Sequence, residues 1–569
     1  MKMRAIIGGL WLTLLILAAC GPQGPQIDLR LTVAGQALSS IRGGPAPERG
    51  QAPPGIEAFR ICVQNASGKK LVCEDFSDLE AGTFRVGGIP AGKDRVVTFQ
   101  GYVTDPETFE RDVLWCGRVT GVDIKHEGVT PVSMLLTLCG DFTETPCLPV
   151  QARAFHTATL LEDGRVLIAG GYTALTHSNA CSRPCAAFEA TRSVEIYDPA
   201  EGSFTALGDL SHARGLHAAM RLPHGKVLLA GGCEIASLQS SFADADQPGS
   251  PLRCLTPGPA AVTAEIIDPA SGATEVFEIP FSLFAGELPV GEERLVLAGG
   301  RDLQGKVVDR AVMVDASGGT VNATEIPLVL SAGRRSPTSA VISSPGEQPA
   351  EAMLLGGINA PSPTDPGAFA ERLIAGSGEV FTHVPGFVEA AAGVGLPVMH
   401  AAASRLRPGR LVVAGGVLPG RFLSQDTPFL PQPLSSSAKI DPRTDEFELL
   451  DGDHELGIAR VFHTLTPVGD SGYALVGGGF IRIDPDADTH HQATASVEGW
   501  DDEREGFTLV WLRGAPVEML QPRAGHSATR LGNGTILITG GLDDRQIQVS
   551  AEIFSPFPTK LGSDGLPAL

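Results

Sequence analysis

The sequence is poor in aromatic and charged residues, and it has no excess of positive charge. Aromatic residues make up 6% and charged residues 19% of the 569 residues, and the formal net charge is −22. A chain with this charge has no basic surface for a phosphate backbone, so nucleic-acid binding is not expected. The apolar fraction of 43% is ordinary for a folded protein and excludes wholesale disorder.

The apolar stretch near the N-terminus, residues 5–17, is too short for an ordinary membrane-spanning helix. Two basic residues precede it and small residues follow it, which predicts an export signal over residues 1–19. The segment Leu17-Ala18-Ala19-Cys20 resembles the bacterial lipoprotein box. That resemblance implies that Cys20 is acylated and that lipid anchors the protein in a bacterial cell envelope, facing the periplasm or the exterior. Plain secretion with cleavage near Ala19 is the alternative.

Export changes the interpretation of the other nine cysteines, because disulfides persist outside the cytoplasm. Nine is an odd number, so at least one cysteine is free or pairs outside the chain. A zinc site needs closely spaced ligands, and only Cys181 and Cys185 come near that spacing. We therefore predict disulfides, no metal and no cofactor. The nine are Cys62, Cys73, Cys116, Cys139, Cys147, Cys181, Cys185, Cys233 and Cys254.

Residues 20–26 are rich in glycine and proline and predict a tether, and residues 27–148 predict a small antiparallel β-sandwich. Cys62 and Cys73 flank a turn and could join a hairpin. The segment from Ile89 to Phe99 resembles transthyretin-like or immunoglobulin-like accessory domains of envelope proteins. Short β-type runs cover 28–33, 59–63, 71–76, 83–86, 95–103, 113–119 and 129–138.

Glycine is abundant, with 69 residues, and it recurs in a pattern along the rest of the chain. An apolar run that ends in a Gly-Gly pair occurs seven times, and such runs are typical of strands buried on both faces. Glycine at the end of each run permits a close approach of backbone that a side chain would block. The pairs are Gly170-Gly171, Gly231-Gly232, Gly299-Gly300, Gly356-Gly357, Gly415-Gly416, Gly477-Gly478 and Gly540-Gly541.

Two further elements accompany the glycine pairs. Before most apolar runs an arginine stands three residues ahead of a histidine, and after them an aspartate begins a turn. In two repeats one partner of the first element is replaced: Thr338 stands after Arg335, and Pro397 stands before His400. The complete pairs are Arg153 and His156, Arg214 and His217, Arg460 and His463, and Arg523 and His526.

These elements predict four strands per repeat, a to d, and seven repeats of this kind predict a β-propeller. The glycine pairs and the Ala-Glu-Ile-Tyr-Asp-Pro type of strand c resemble kelch repeats, and the segment from His156 resembles bacterial galactose-oxidase-type propellers. The predicted fold is therefore all-β: a seven-bladed kelch-type propeller over residues 149–562, preceded by the sandwich and followed by a tail, 563–569. We expect the ring to close with a strand from residues 146–153.

The b–c and d–a loops share one face of such a propeller, and the b–c loops of the first two blades are long. Long loops on a rigid scaffold often bind ligands. We predict that these two loops, braced by disulfides, form the recognition surface for an envelope protein or glycan. Pinning against proteolysis is the alternative role. The candidate residues are Tyr172, Cys181, Cys185, Cys233 and Cys254.

The arginine and histidine repeats are interpreted as structural, because a catalytic residue is needed once and a packing residue in each repeat. We expect the arginines to bind carbonyls of the neighbouring blade and the histidines to satisfy buried backbone groups. A ring that binds an anion or a metal is the other interpretation.

We predict no catalytic residue and a non-catalytic binding role, with an atypical galactose-oxidase-like copper oxidoreductase as the alternative. That copper chemistry needs two tyrosines, two histidines and a cysteine cross-linked to one tyrosine on one face. The chain has four tyrosines, of which Tyr172 alone is a candidate. The run from Asp484 to Asp488 begins like a calcium loop, but Thr489 and Ala495 depart from the pattern, which leaves a weak cation site with His490 and His491 as an alternative.

Overall fold

The structure is a computed structural model of the full chain. It describes residues 26–33, 56–77, 84–104, 111–178, 185–238, 252–280, 285–304, 306–317, 321–326, 330, 336–342, 350–357, 370–375, 380–383, 400–407, 410–417, 433–469, 472–482, 492–512, 514–543 and 546–556. Cys20, Cys181 and the run from Asp484 to His491 lie outside these residues. The helices in the described residues are single turns of 3-10 helix at Pro223–Gly225, Pro259–Val262 and Gly452–His454. None of them has the length and hydrophobicity to cross a membrane.

The first unit is a seven-stranded sheet with the order β3-β2-β5-β6-β7-β1-β4. Its core contains stacked aromatic rings, with Phe59 against Phe99 at 5.1 Å between ring centroids. Its strands are β1 (Gln26–Val33), β2 (Ala58–Gln64), β3 (Lys70–Phe76), β4 (Phe84–Val86), β5 (Gly92–Thr104), β6 (Arg111–Ile124) and β7 (Val129–Leu138).

The pairings in this unit are antiparallel except one, since β1 and β7 run parallel. This differs from the purely antiparallel prediction. Two disulfides fasten the unit. Cys62 and Cys73 join β2 to β3 as the sequence suggested, and Cys116 joins β6 to Cys139 just after β7. Cys147 is the free cysteine of the described residues.

Apart from the three 3-10 turns, the regular elements in the rest of the described chain are short antiparallel strands. They are β8 (Phe142–Glu144), β9 (Thr157–Leu160), β10 (Val166–Ala169), β11 (Tyr172–Ser178), β12 (Cys185–Ala190), β13 (Ser193–Asp198), β14 (Ser203–Asp209), β15 (Ala218–Arg221), β16 (Val227–Ala230), β17 (Ile235–Leu238), β18 (Leu252–Thr256), β19 (Thr263–Ile267), β20 (Thr274–Glu278), β21 (Gly286–Val290), β22 (Arg294–Ala298), β23 (Ala311–Asp315), β24 (Asn322–Ile326), β25 (Thr338–Val341), β26 (Ala350–Leu355), β27 (Ala370–Ala375), β28 (Val380–His383), β29 (Ala402–Arg407), β30 (Arg410–Ala414), β31 (Ser437–Asp441), β32 (Glu446–Leu449), β33 (Thr464–Val468), β34 (Tyr473–Gly477), β35 (Phe480–Arg482), β36 (Gln492–Ala493), β37 (Val497–Asp501), β38 (Gly506–Leu509), β39 (Trp511–Leu512), β40 (Ala515–Pro516), β41 (Ser527–Arg530), β42 (Ile536–Thr539) and β43 (Ala551–Phe554).

Seven four-stranded sheets form the blades of this region, each with strands a to d in order. In chain order they are blade 1 (β9, β10, β13, β14), blade 2 (β15, β16, β19, β20), blade 3 (β21 to β24), blade 4 (β25 to β28), blade 5 (β29 to β32), blade 6 (β33, β34, β37, β38) and blade 7 (β41, β42, β43, β8).

Hydrophobic clusters fill the gaps between consecutive blades. Leu167 of blade 1 packs with Leu229 of blade 2, and equivalent clusters join each following pair. The last cluster brings Leu537 of blade 7 against Val166 of blade 1. The seven sheets therefore follow one another in a ring, which is a propeller-like all-β fold. A single blade could not bury both of its faces, so the blades stabilise one another.

The closing strand of blade 7 comes from an earlier part of the chain than expected. Residues 146–153 were predicted to supply it, but β8 pairs with β43 instead, with Thr143 opposite Ile553. Phe142 packs on Phe554 and completes the hydrophobic cluster between blades 6 and 7. Residues 146–153 run on from β8 to the start of blade 1.

The first unit packs against the face that carries the a–b and c–d turns, here called the turn face. The Thr120 hydroxyl donates to the carbonyl of Gly532, which lies in the a–b turn of blade 7. Leu135 of β7 packs in the cluster between blades 7 and 1. The opposite face, formed by the b–c and d–a loops, is called the loop face. In the described residues, the first unit's contacts with the propeller thus run through the turn side of blades 7 and 1.

Candidate functional site

Four buried ion pairs hold the loop face together. In blade 2, Arg214 Nη2 donates to Glu265 Oε1 at 2.6 Å, and both side chains are fully buried. The same arginine binds the carbonyls of Gly231 and Thr263, so its guanidinium ties the end of strand b to strand c. Burial lowers the pKa of Arg214, and the charge of Glu265 opposes that shift. The equivalent pairs are Arg153 with Glu195, Arg460 with Glu498, and Arg523 with Glu552.

Each of these glutamates also accepts two backbone N–H groups from the segment before its arginine. In blade 2 the donors are Ser211 and His212, at 2.7 and 3.0 Å from the Glu265 carboxylate. The carboxylate therefore fixes the d–a segment to its own blade. This role was not predicted from the sequence, although a glutamate two residues after Ser or Thr recurs inside four otherwise apolar strands.

The arginine side chains bind carbonyls of their own blade, and not of the neighbouring blade as predicted. The contact between blades runs through the arginine backbone instead, since Gly171 N–H of blade 1 donates to the Arg214 carbonyl of blade 2 at 2.8 Å. The glycine pair allows this approach. A Cβ on Gly170 would lie 2.4 Å from the Arg214 carbonyl oxygen, and both glycines have positive φ, 59° and 91°.

Three of the four histidines join neighbouring blades through threonine hydroxyls, and the backbone of Ala414 and of Arg523 contacts His463 and His526, which agrees in part with the backbone groups that we predicted. His217 Nε2 lies 2.9 Å from Thr157 Oγ1 of the preceding blade, and His156 and His526 make the same contact with Thr539 and Thr464. Burial, together with the nearby arginines, lowers the pKa of His217 and of His526 to about 3. These imidazoles are therefore neutral at physiological pH.

The register of the repeat in blades 4 to 6 differs from the prediction by one residue. Thr338 and Ala402 pair with the last residue of strand b, as Thr157 does, so the histidine place is Pro337 in blade 4 and Ala401 in blade 5. In blade 6 the pair is Gly478-Gly479, because Gly477 still belongs to β34.

An apolar cluster closes the centre of the loop face. His400 belongs to this cluster, where its ring packs 4.6 Å from that of Phe462, and Phe462 contacts Phe155 at 5.3 Å. Phe155, Leu216, His400 and Phe462 share a positive φ and the same place in their blades. Gly525 holds that place in blade 7, where a Cβ would come within 2.7 Å of the Phe155 ring.

The two long b–c loops predicted to bind a ligand meet in one sheet. Strands β11 and β12 come from blade 1 and β17 and β18 from blade 2, and they pair in the order β11-β12-β17-β18. We call this the loop sheet. The disulfide between Cys233 and Cys254 fastens its blade 2 half. Cys185 begins β12, but its side chain and Cys181 lie outside the described residues.

Tyr172 lies at the base of the loop sheet and is fully buried. Its hydroxyl donates to the Cys233 carbonyl at 3.0 Å, and burial raises the pKa of this phenol. Gly215 is required beneath it, since a Cβ there would lie 2.4 Å from the Tyr172 ring. Tyr172 thus links the two loops to each other from inside.

A groove between blades 1 and 2 opens at the foot of the loop sheet. Its volume is about 550 Å³, and its lining is polar. Arg192 and Asp209 form an ion pair of 3.2 Å on the blade 1 side, and the His212 ring stands 3.6 Å from the Glu265 carboxylate on the blade 2 side. Glu234, just before β17, completes the wall. This is the polar recess that the loop sheet borders.

No protein-family model matches the chain, and no curated protein matches it. Among solved structures, the chain is similar to a fungal alcohol oxidase of the AA5 family, described as catalytically diverse within that family and in complex with copper. The identity is 14% and the TM-score is 0.48, over 76% of this chain and 78% of that chain. Whether a copper ion fits this chain is therefore judged from the side chains of this chain alone.

The tyrosines do not converge on a copper site. Tyr102 lies in the first unit, Tyr197 is buried in β13, and Tyr473 begins β34 at the turn face. Tyr172 alone is at the loop face, and its neighbour Cys233 is already in a disulfide with Cys254. The described residues contain no group of three or more His, Cys, Asp or Glu arranged for a metal ion. The side chains that the structure describes do not fit a copper site, and we derive no chemistry from copper.

Proposed function

We propose that this protein is a non-catalytic binding protein of the bacterial envelope, and that its loop face recognises a protein or a glycan. The observation that carries the proposal is the loop sheet. Two loops from different blades are paired strand to strand and fastened by the Cys233–Cys254 disulfide. Ordering loops in advance lowers the entropic cost of binding.

The position of the first unit supports the same proposal. It packs on the turn face, through Thr120 and Leu135, and not on the loop sheet or the groove. A unit placed there can carry the propeller above a membrane while the loop face points to a partner. The Gly-Gly strands, the aspartate turns and the ring of blades support a kelch-type propeller.

Three disulfides in the described residues favour an oxidising compartment outside the cytoplasm. The proposed anchor is the acylated Cys20. Mass spectrometry of the N-terminal peptide tests it: a diacylglyceryl thioether with an N-acyl group on Cys20 is expected, and an unmodified N-terminus would contradict the anchor. Substituting Cys20→Ser should release the protein from membranes.

Hydroxyl-radical footprinting tests the proposed binding face. The fragment 21–569 would be labelled alone and after incubation with solubilised envelope. Leu148 and Leu520 are exposed on the d–a segments of the loop face, and Tyr473 and Val341 are exposed at strand ends next to the a–b turns of the turn face. We expect oxidation of the first pair to fall while the second pair is unchanged.

Protection of Tyr473 and Val341 alone would contradict the proposed face. Copper analysis of the same purified protein supplies a second test. One bound copper per chain together with an absorption band of a tyrosyl radical would contradict a non-catalytic role.

A further inference from the structure

We propose that the groove between blades 1 and 2, bordered by Arg192, Asp209, His212 and Glu234, binds a saccharide chain. The inference rests on the proposed binding role of the loop face and names the ligand class and the place. It starts from a comparison within the chain, since the other blades offer copies of the same groove.

Backbone hydrogen bonds define which residues occupy equivalent places. Ser211, Val150 and Leu520 each donate their N–H to Oε2 of the strand c glutamate in their blade, at 2.7 Å in all three cases. The next residues, His212, Gln151 and Gln521, each donate to Oε1 of the same glutamate. Arg192 and Val549 also hold equivalent places. Each precedes a serine, Ser193 or Ser550, whose hydroxyl accepts a hydrogen bond from the buried arginine of its blade.

By this alignment the groove between blades 7 and 1 is apolar where the groove between blades 1 and 2 is polar. Val549 replaces Arg192, Leu148 replaces Asp209, and Val150 replaces Ser211. These three apolar side chains are 40%, 47% and 60% exposed. The scaffold therefore tolerates apolar residues at these places. The polar set beside the loop sheet is not required by the fold.

The backbone that carries the polar groups of the groove is held in place before any ligand arrives. Glu265 fixes the backbone of Ser211 and His212, and Asp209 holds the Arg192 guanidinium. Glu234 is fixed by its N–H bond to the Thr256 carbonyl and by its own carbonyl, which accepts from Ala190. Such preorganisation saves side-chain and loop entropy on binding.

The chemistry of the lining favours a saccharide. Carboxylates accept from hydroxyl groups and a guanidinium donates to them, and both kinds of charged hydrogen bond are stronger than neutral ones. Arg192 and Asp209 supply a cation and an anion on one wall of the groove and Glu234 an anion on the other, so both signs of charge are available to hydroxyl groups. Its volume of about 550 Å³ is in the range of ordinary ligand sites, and it is open to solvent, which leaves room for polar rings that extend beyond it.

The test grafts residues of the groove between blades 7 and 1 into the polar groove. The fragment 21–569 carrying Arg192→Val and His212→Gln takes the residues that stand at Val549 and Gln151, so the fold accommodates them. Wild type, graft and the control Val549→Ala are applied to a microarray of bacterial and host oligosaccharides. The affinity for each bound oligosaccharide is then measured by calorimetry.

We expect wild type to bind at least one oligosaccharide, the graft to bind it tenfold or more weakly, and the control to match wild type within twofold. Equal binding by the graft would overturn the groove as the site. Absence of any bound oligosaccharide would overturn the ligand class. Loop-face protection by a protein from the envelope, with no saccharide bound, would leave the proposed function standing and reject this inference.

Discussion

Blades 6, 7, 1 and 2 differ from blades 3 and 5 in the buried charges of the loop face. The first four form a contiguous arc, and each contains an Arg–Glu pair. Blade 5 has Val398 and Ala438 at the two places and blade 3 has Ser282 and Val312, counted from the paired strands; Val398 and Ser282 lie outside the described residues. Arginine and glutamate are thus present together or absent together.

The joint presence has a physical cause. An unpaired charge in a buried site costs several kcal/mol, whereas replacing both partners by apolar residues is often neutral. A blade can therefore lose the pair but not half of it. In blade 4, Arg334 and Glu371 hold the two places, although their side chains lie outside the described residues.

The comparison also explains where the loop sheet is built. Blades 1 and 2 lie within the arc, where the glutamates fix the d–a segments that form one wall of each groove. Fixed segments give a ligand site a stable geometry, so a binding surface is expected on the arc more than on the opposite side.

The largest expected effect comes from breaking one pair. Glu265→Ala leaves Arg214 buried without its partner and frees two backbone N–H groups, so the free energy of unfolding should fall by about 3–5 kcal/mol. Urea denaturation measures it. The exposed pair of Arg310 and Glu325 supplies the matched control, and Glu325→Ala should cost less than about 1 kcal/mol.

A double-mutant cycle sharpens this result. Arg214→Val with Glu265→Ala copies the residues of blade 5, and its cost should be smaller than the sum of the two single costs. Additive costs would show that the two charges do not depend on each other, and the comparison between the blades would then lose its explanation.

The next effect concerns the approach of blade 2 to blade 1. Gly170→Ala places a methyl group against the Arg214 carbonyl, while Gly164→Ala, at another positive φ in the a–b turn, meets nothing within 4 Å. The turn variant should cost about 1–2 kcal/mol from backbone strain. Gly170→Ala should cost about 1–3 kcal/mol more because of overpacking, measured by the same denaturation. Equal costs would contradict close packing at the glycine pair.

Acid should destabilise the arc through its buried histidines. The pKa of His217 is lowered to about 3, so between about pH 6.5 and 3 the unfolded chain binds a proton that the native chain does not. Stability therefore falls with decreasing pH across this range, by about 1.4 kcal/mol per pH unit for each such histidine.

His217→Gln should reduce the dependence of stability on pH by about 1.4 kcal/mol per pH unit, which corresponds to one proton. Urea denaturation at pH 7, 6, 5 and 4 measures it. The exposed His126 serves as the control, and His126→Gln should leave the slope unchanged. An unchanged slope in the His217 variant would mean that this imidazole is protonated in the native protein.

The smallest effect is the loss of one hydrogen bond between blades. Thr157→Val removes the partner of His217, and the cost should be about 0.5–1.5 kcal/mol. Thr205 is exposed on β14, so the control Thr205→Val removes no hydrogen bond to a histidine and should cost less. Thermal denaturation is sensitive enough to rank the two.

The repeat could be predicted from sequence because glycine pairs, apolar strands and aspartate turns are local patterns. The pattern of strands a and b recurs once in each blade, and seven occurrences are too many to arise by chance. The register was wrong in blades 4 to 6, and in blades 4 and 6 the pattern is locally ambiguous. Three consecutive glycines at 477–479 and two consecutive arginines at 334 and 335 allow a shift of one residue.

The candidate site was harder to predict because its parts come from distant segments. Nothing local in residues 185–190 indicates that they pair with residues 235–238 of the next blade. The role of Glu195 also depends on Arg153, 42 residues away. The strand that closes blade 7 lies before the whole ring in sequence, and its partner β43 lies at the end. These long-range contacts form only when the blades are assembled, so no local sequence pattern predicts them.

Hydrogen–deuterium exchange of the fragment 21–569, with and without a bound partner, tests the central claim most directly. The account predicts slower exchange in peptides covering residues 187–213 and 233–259, with turn-face peptides of the same blades unchanged. Slower exchange confined to blades 3 to 5, or to the turn face, would contradict it.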